Sequence, residues 1–172
     1  LLVAIFMVVA GQAEGTVTAF GGMLVRDQVA EIIKVFALAT TAMVFVYGRP
    51  YLIDRGLRGG EFYTLMLFAV VGIMLVVSAG NLLTLYLGLE LLALSSYALV
   101  ALNRDQKLPA EAAIKFFVLS ALASGMLLYG MSMVYGASGM GGEATLGLAQ
   151  LNQVLGYTPA PKLLQFGMIF MI

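Results

Sequence analysis

A single charged residue, Glu90, lies within a long apolar stretch of this sequence, and its setting suggests proton chemistry. It is nine residues from Asn81, where the stretch from Asn81 to Leu102 begins. In a helix this spacing corresponds to a depth of about 13 Å, near the middle of a hydrocarbon core about 30 Å thick. A charge at that depth costs roughly 2.5 to 3.5 kcal/mol, so such residues normally face other helices and serve a proton or ion path or an ion pair. The alternative is a neutral carboxylic acid that is hydrogen-bonded to a neighbouring helix.

Two further charged residues, Glu111 and Lys115, open the next apolar stretch. They are four residues apart with the acid first, which is the favourable order for a pair on one helix face. The helix dipole also favours an anion in the first turn. Lys115 lies six residues past Pro109, or about 9 Å inside the helix. The alternative to a functional role is a lysine that snorkels back to the membrane surface.

Glu90 and Lys115 are predicted to influence each other across adjacent helices. Two unit charges about 8 Å apart interact by about 2 kcal/mol at an effective dielectric near 20. Burial favours the neutral form of both a carboxylic acid and an amine, so the two groups can exchange a proton, directly or through water. Nearby hydroxyl groups either extend such a path or serve helix packing, and they belong to Ser95, Ser96, Tyr97, Ser120 and Ser124.

The elements that hold these residues are predicted to be membrane helices. Of the 172 residues, 62% are hydrophobic and 10% are charged, whereas soluble domains carry about 25% charged residues. A membrane span needs about 20 mostly apolar residues. Windows of that kind predict an all-α polytopic transmembrane bundle in which residues 1–172 form one membrane domain, an internal fragment of a longer chain. Its spans are 1–10 (partial), 27–47, 61–80, 81–102, 110–135 and 161–172 (partial), with a tight turn at 78–81 and a glycine-rich loop at 136–160.

Composition excludes several kinds of site. The sequence has no cysteine and no histidine, which removes disulfides, iron–sulfur ligation and the usual zinc sites. Redox cofactors and metals are therefore expected in other chains. Nine basic and nine acidic residues leave no overall positive excess that would recruit nucleic acid or an anionic membrane surface. A dinucleotide-like pattern at Gly139, Gly141 and Ala144 is interpreted as a flexible loop, because that fingerprint requires a preceding strand.

Loop charge predicts the orientation of the chain, because lysine and arginine are retained on the cytoplasmic side. The loops 48–60 and 103–109 are predicted to be cytoplasmic. They hold Arg49, Arg55, Arg58, Arg104 and Lys107, whereas the opposite loops hold only Arg26 and Lys162. The segment 11–26, the turn at 78–81 and the loop 136–160 then lie outside.

The stretches from Glu61 to Leu102 and from Glu111 to Gly125 resemble the antiporter-like membrane subunits of respiratory complex I, the proton-pumping NADH:quinone oxidoreductase. The resemblance is strongest to the N type (subunit 2), because the L and M types have a tryptophan beside the corresponding glutamate, where this sequence has Leu89. It implies that Glu90 is the family's buried glutamate and that Lys115 modulates it, in a proton half-channel open to the cytoplasm. It also implies an inverted-repeat fold, with further relay residues beyond position 172.

The resemblance further implies a multi-pass subunit of the bacterial inner membrane that relays protons without redox chemistry of its own. Glu90 and Lys115 would carry the relay, with Glu111, Ser95, Ser96 and Tyr97 in support. The expected partners are the lipid bilayer and the other membrane subunits of an NADH:quinone oxidoreductase, in which NADH, FMN, iron–sulfur clusters and quinone belong to other chains. Two alternatives remain open: an Mrp-type or stand-alone cation/proton antiporter subunit, and a membrane scaffold whose charges only lock helices together.

Overall fold

The computed structural model describes residues 1–11, 15–57, 59–103, 105–139, 143–155 and 162–171. Seven helices and one β-hairpin are found within these ranges. The helices are α1 (Leu2–Ala10), α2 (Gln28–Asp54), α3 (Gly59–Val77), α4 (Leu82–Val100), α5 (Lys107–Ser138), α6 (Leu148–Leu155) and α7 (Lys162–Met171), and the strands are β1 (Val17–Ala19) and β2 (Leu24–Arg26). Parts of the sequence predictions lie outside the described ranges: Arg58, Arg104 and Gly141, residues 12–14 of the segment 11–26, residues 140–142 and 156–160 of the loop 136–160, and residues 161 and 172 of the last span.

The fold is the all-α transmembrane bundle that the composition predicts. The helices α2, α3, α4 and α5 are long and apolar enough to cross a membrane. Two of them are longer than their predicted spans, because α2 continues through Pro50 to Asp54 and α5 continues to Ser138. A count of apolar residues stops at the first interfacial charges, whereas a helix continues through them into the headgroup region.

A β-hairpin occupies part of the segment 11–26, which the sequence predicted only as an outer loop. Its two strands pair antiparallel over three residues each, and the turn between them contains two glycines in left-handed backbone. The hairpin is hydrogen-bonded to the link between α3 and α4. Val25 N donates to Ser78 O at 2.8 Å, and Gly80 N donates to Met23 O at 2.9 Å.

The link at 78–81 is tight, as its Ser-Ala-Gly-Asn sequence suggests. Asn81 caps α4, since its side chain accepts a hydrogen bond from Thr84 N at 2.9 Å. Gly80 is required here because a Cβ at this position would collide with the backbone oxygen of Gly22. The link therefore depends on the capping side chain of Asn81 and on the absence of a side chain at Gly80.

The described residues of the predicted glycine-rich loop 136–160 contain more regular structure than the sequence predicts. It contains the end of α5 and the short helix α6, and Leu151 of α6 is buried. The backbone of this region pairs with the start of α4, since Leu82 N donates to Leu146 O at 2.9 Å. The core that joins α4, α5, α6 and α7 consists of Leu82, Met131, Val134, Ala137, Leu151 and Leu164.

Glycines allow two pairs of helices to touch through their backbones. Between α3 and α4, a Cβ added to Gly88 would lie 2.8 Å from Val76 N and 3.0 Å from Gly72 O. Between α5 and α7, a Cβ added to Gly167 would lie 2.9 Å from Gly130 O. Close approach at small residues is a principal source of helix association in membranes, where dispersion contacts replace the hydrophobic effect.

We expect Gly88→Ala to destabilise the full-length protein, because the added methyl group meets backbone atoms of α3 that cannot move aside. Overpacking of this kind costs about 1 to 3 kcal/mol. Gly136→Ala is the matched control, since a Cβ there would lie 3.9 Å from Leu163 Cδ2. Thermal unfolding in detergent measures both variants, and equal losses of stability would contradict the role assigned to Gly88.

Candidate functional site

Glu90 is half-buried on α4 and faces α5. Ser124 of α5 donates a hydrogen bond from its Oγ to Glu90 Oε1. The same Ser124 Oγ lies 3.4 Å from the hydroxyl oxygen of Tyr86, and either group can be the donor of that contact. These three side chains therefore form a short hydrogen-bonded chain that connects α4 to α5 and returns to α4.

Tyr86 is a site residue that the sequence analysis missed. It precedes Glu90 by four positions, so the two residues share one face of α4. The four-residue spacing could have indicated that Tyr86 lies next to Glu90, but it does not show which face of α4 packs against α5. The contact with Ser124 depends on the packing of the two helices, and only the structure supplies it.

A cavity of about 510 Å³ lies beside Glu90, where α4, α5 and α7 meet. Its polar groups come from Glu90, Ser96, Tyr97, Ser120 and Ser124, and its other lining residues are apolar. A buried water needs two to four polar partners and occupies about 30 Å³ of liquid volume. The cavity has room for several waters along this polar strip, and such waters can connect the carboxylate to the hydroxyl groups.

The predicted serine pair of α4 divides between two environments. Ser95 is 4% exposed, and its hydroxyl donates to Leu91 O at 2.7 Å. Ser96 donates to Leu92 O at 2.8 Å, but it also lines the cavity. A serine that bonds to the carbonyl four residues earlier satisfies its donor within its own helix. Ser95 therefore lies outside the polar strip, whereas Ser96 belongs to it.

Tyr97 lines the same cavity and also holds α4 against α5. It is 8% exposed, and its ring makes edge contacts with Phe116 at 5.0 Å and Phe117 at 5.5 Å between centroids. Aromatic pairs of this geometry contribute about 0.5 to 1.5 kcal/mol beyond their buried area. The packing of this ring thus maintains the helix contact next to Glu90.

Lys115 and Glu111 form an ion pair with each other, 2.6 Å between Lys115 Nζ and Glu111 Oε1. The Lys115 side chain is 70% exposed and that of Glu111 is 60% exposed. Neither residue lines the cavity beside Glu90. The lysine reaches back towards the first turn of α5, which is the direction expected of a snorkelling side chain. Glu90 is therefore hydrogen-bonded to Ser124, and Lys115 is paired with Glu111. Lys115 and Glu90 do not form an ion pair with each other.

A separate buried charge lies at the start of α2. Glu31 is 4% exposed and forms an ion pair with Arg26, which also donates to Gly11 O at the end of α1. Asp27 caps the helix by accepting a hydrogen bond from Ala30 N at 2.6 Å. This arrangement ties α1 to α2. Within the described ranges, no group of three or more acidic residues is placed to hold a metal ion.

Comparison with known proteins places these residues in a family context. Residues 79–172 match the family described as NADH:quinone oxidoreductase/Mrp antiporter, transmembrane. The chain is 52% identical over 157 residues to NADH-quinone oxidoreductase subunit N of Thiobacillus denitrificans, and 51% identical over 154 residues to that of Nitrosomonas europaea. These alignments cover 91% and 89% of this chain but 32% and 31% of the relatives. The chain thus spans about a third of the length of the curated relatives it matches.

Two solved structures are similar in fold. Respiratory complex I from Thermus thermophilus with bound aureothin matches with a TM-score of 0.72 and 28% identity, over 99% of this chain and 34% of that one. A membrane-bound sulfane sulfur reductase, an archaeal respiratory membrane complex, matches with a TM-score of 0.57 and 31% identity, over 64% of this chain and 21% of that one. Both similar structures are respiratory membrane complexes.

The contact between Tyr86 and Ser124 is testable by a double-mutant cycle on the full-length protein. We expect Tyr86→Phe and Ser124→Ala to be non-additive in unfolding free energy by about 0.6 kcal/mol, the mean for hydrogen bonds between membrane helices. The control pair is Tyr86→Phe with Ser120→Ala, since Ser120 lines the same cavity. That pair should be additive within about 0.3 to 0.5 kcal/mol. Additivity in both cycles would contradict the contact.

Proposed function

Because this chain belongs to the NADH:quinone oxidoreductase/Mrp antiporter transmembrane family, we propose that it forms part of a proton-translocating N-type subunit of an NADH:quinone oxidoreductase. About half of its residues are identical to those of relatives with the name subunit N. The observation that carries the proposal is the setting of Glu90, which is hydrogen-bonded to Ser124 beside a cavity with a polar strip, inside a membrane-crossing helix. An ionisable group placed in this way is characteristic of a proton path.

Glu90 is the proposed proton carrier. In its ionised form it accepts the hydrogen bond from Ser124, and a bond to a charged partner is stronger than one between neutral groups. On protonation the carboxyl group becomes a donor, and the hydroxyl of Ser124 can rotate to accept from it. Ser124 can then direct its own hydrogen to Tyr86 or to a water in the cavity. A proton taken up on one side of Glu90 can in this way leave on the other.

Lys115 is the proposed modulator of Glu90. Ser124, which contacts Glu90, lies nine residues beyond Lys115 on α5, so the axial offset between Lys115 and Glu90 is about 13 Å. At that distance two unit charges couple by about 1 kcal/mol at an effective dielectric near 20. The ion pair with Glu111 holds the lysine towards the start of α5, away from Glu90. Motion of the lysine side chain away from Glu111 would bring its positive charge closer to Glu90.

The proposed setting is the bacterial inner membrane, with the loops 48–60 and 103–109 on the cytoplasmic side. The bias of arginine and lysine towards these two loops supports this orientation. The proposed partners are the lipid bilayer and other membrane subunits of the oxidoreductase. NADH, FMN, iron–sulfur clusters and quinone would belong to those other subunits, and this chain would act as a non-redox subunit of the translocase.

An Mrp-type cation/proton antiporter subunit is the second candidate function, because the family description covers both kinds of protein. Both would use a membrane-embedded carboxylate. Electron donors and inhibitors of NADH:quinone oxidoreductase distinguish the two, since only the first candidate couples proton movement to NADH oxidation.

We expect Glu90→Gln in the full-length protein to reduce NADH-driven proton pumping at least tenfold, because the amide preserves the shape but cannot carry a proton. Pumping and NADH:quinone turnover are measured in membrane vesicles, and assembly is checked by native gel. Glu143→Gln is the matched control, since Glu143 is exposed and lies outside the cavity. Normal pumping by the Glu90 variant would reject its role as a carrier. Loss of assembly with normal pumping per assembled complex would favour the scaffold alternative.

The proposed orientation predicts the side from which single cysteines can be labelled. In a cysteine-free background, Asp105→Cys should react with a membrane-impermeant maleimide only in inside-out vesicles, and Glu143→Cys only in right-side-out vesicles. Both residues are exposed at opposite ends of α5. Labelling in the reverse pattern would overturn the orientation and leave the assignment of Glu90 intact.

A further inference from the structure

A second cavity of about 370 Å³ lies at the end of the bundle away from the hairpin, where α2, α3, α4 and α5 come together. It is lined by residues of two kinds. Apolar walls are formed mainly by Leu52, Leu57, Phe62, Leu99 and Val100, and polar groups at the rim come from Arg55, Asn103 and Gln106. The proton path through Glu90 uses none of these residues.

Arg55 supplies a positive charge at this rim. It is the C-cap residue of α2, and its guanidinium lies 4.9 Å from the ring centroid of Tyr51. This cation–π contact restricts where the side chain can point. Within the described part of the chain no carboxylate forms an ion pair with Arg55. Its hydrogen-bond donors are thus available, and their planar fork matches a phosphate group.

The start of α5 adds to the attraction for an anion. Gln106 is the N-cap residue of this helix, and its side chain makes no capping hydrogen bond. Pro109, which also lines the cavity, has no backbone N–H. A helix N-terminus carries a partial positive charge and favours phosphate groups. The Gln106 side chain, which makes no capping bond, and the Asn103 side chain, which also lines the cavity, can donate to an anion that Arg55 attracts.

We propose that this cavity binds an anionic phospholipid, with the phosphate at Arg55, Asn103 and Gln106 and the first part of an acyl chain along Phe62 and Leu99. The position at the ends of four membrane-crossing helices is the level of lipid headgroups. Basic pockets between transmembrane helices recognise anionic headgroups in the same way. A free phosphate ion would leave the apolar walls uncovered, and a neutral amphiphile would leave the arginine without an anion. The inference does not depend on which side of the membrane this end faces.

The site is tested by lipid retention on the full-length protein within its purified complex. Native mass spectrometry of detergent-released complex, titrated with phosphatidylglycerol or phosphatidylcholine, should show preferential binding of phosphatidylglycerol. We expect Arg55→Gln to weaken that binding about tenfold or more. Arg49→Gln is the matched control, because Arg49 is exposed on the same helix and does not line the cavity. Its binding should equal that of the unchanged protein.

The other outcomes of this experiment overturn the proposal. Equal binding of the two lipids, or unchanged binding by Arg55→Gln, would show that the cavity does not recognise the phosphate. Equal losses in Arg55→Gln and Arg49→Gln would reduce the effect to general surface charge. Release of the lipid by inorganic phosphate at matched ionic strength would assign the site to a free anion. Because none of these readouts requires turnover, they leave the role of Glu90 untouched.

Discussion

The backbone contact between α3 and α4 determines where the functional side chains point. Gly88 faces α3 so closely that a Cβ would meet backbone atoms. Glu90 follows two residues later, which rotates it by about 200° around a helix of 3.6 residues per turn. It therefore lies on the opposite side of α4 and faces α5 and the cavity. A glycine with no chemistry of its own in this way orients the carboxylate that carries the proposed function.

The ends of the helices near the hairpin are held by a different kind of contact. Backbone hydrogen bonds connect the hairpin to the 78–81 link and connect the region before α6 to the start of α4. Next to these hydrogen bonds lies the apolar core that joins α4, α5, α6 and α7, in which Leu164 is 1% exposed. The second glycine contact, between Gly130 and Gly167, holds α7 against α5. These contacts close the end of the bundle, while the cavity beside Glu90 remains between α4, α5 and α7.

Within the described residues, Glu90 differs from two other charged groups in the kind of partner that it has. Glu31 forms an ion pair with Arg26, and Lys115 forms one with Glu111 on its own helix. Glu90 instead accepts a hydrogen bond from the neutral hydroxyl of Ser124. A direct ion pair stabilises one charge state, whereas a hydroxyl can donate to a carboxylate and accept from a carboxylic acid. The partner of Glu90 is thus the one that tolerates a change of protonation, which suits a carrier better than a structural anchor.

The sequence by itself predicted the membrane class, the four long helices and the position of Glu90 near the middle of one of them, because hydropathy and the position of a charge within an apolar stretch are local properties of the chain. The resemblance from Glu61 to Gly125 likewise rested on residues close together in sequence. Only the tertiary structure decided that Tyr86 and Ser124 join Glu90, that Lys115 turns to Glu111, and that residues 17–26 form a hairpin. The physical reason is that the rotation of one helix against another depends on contacts between distant residues, such as Gly72 with Gly88. A periodic sequence pattern shows which residues share one face of a helix, but it does not show which neighbouring helix packs against that face.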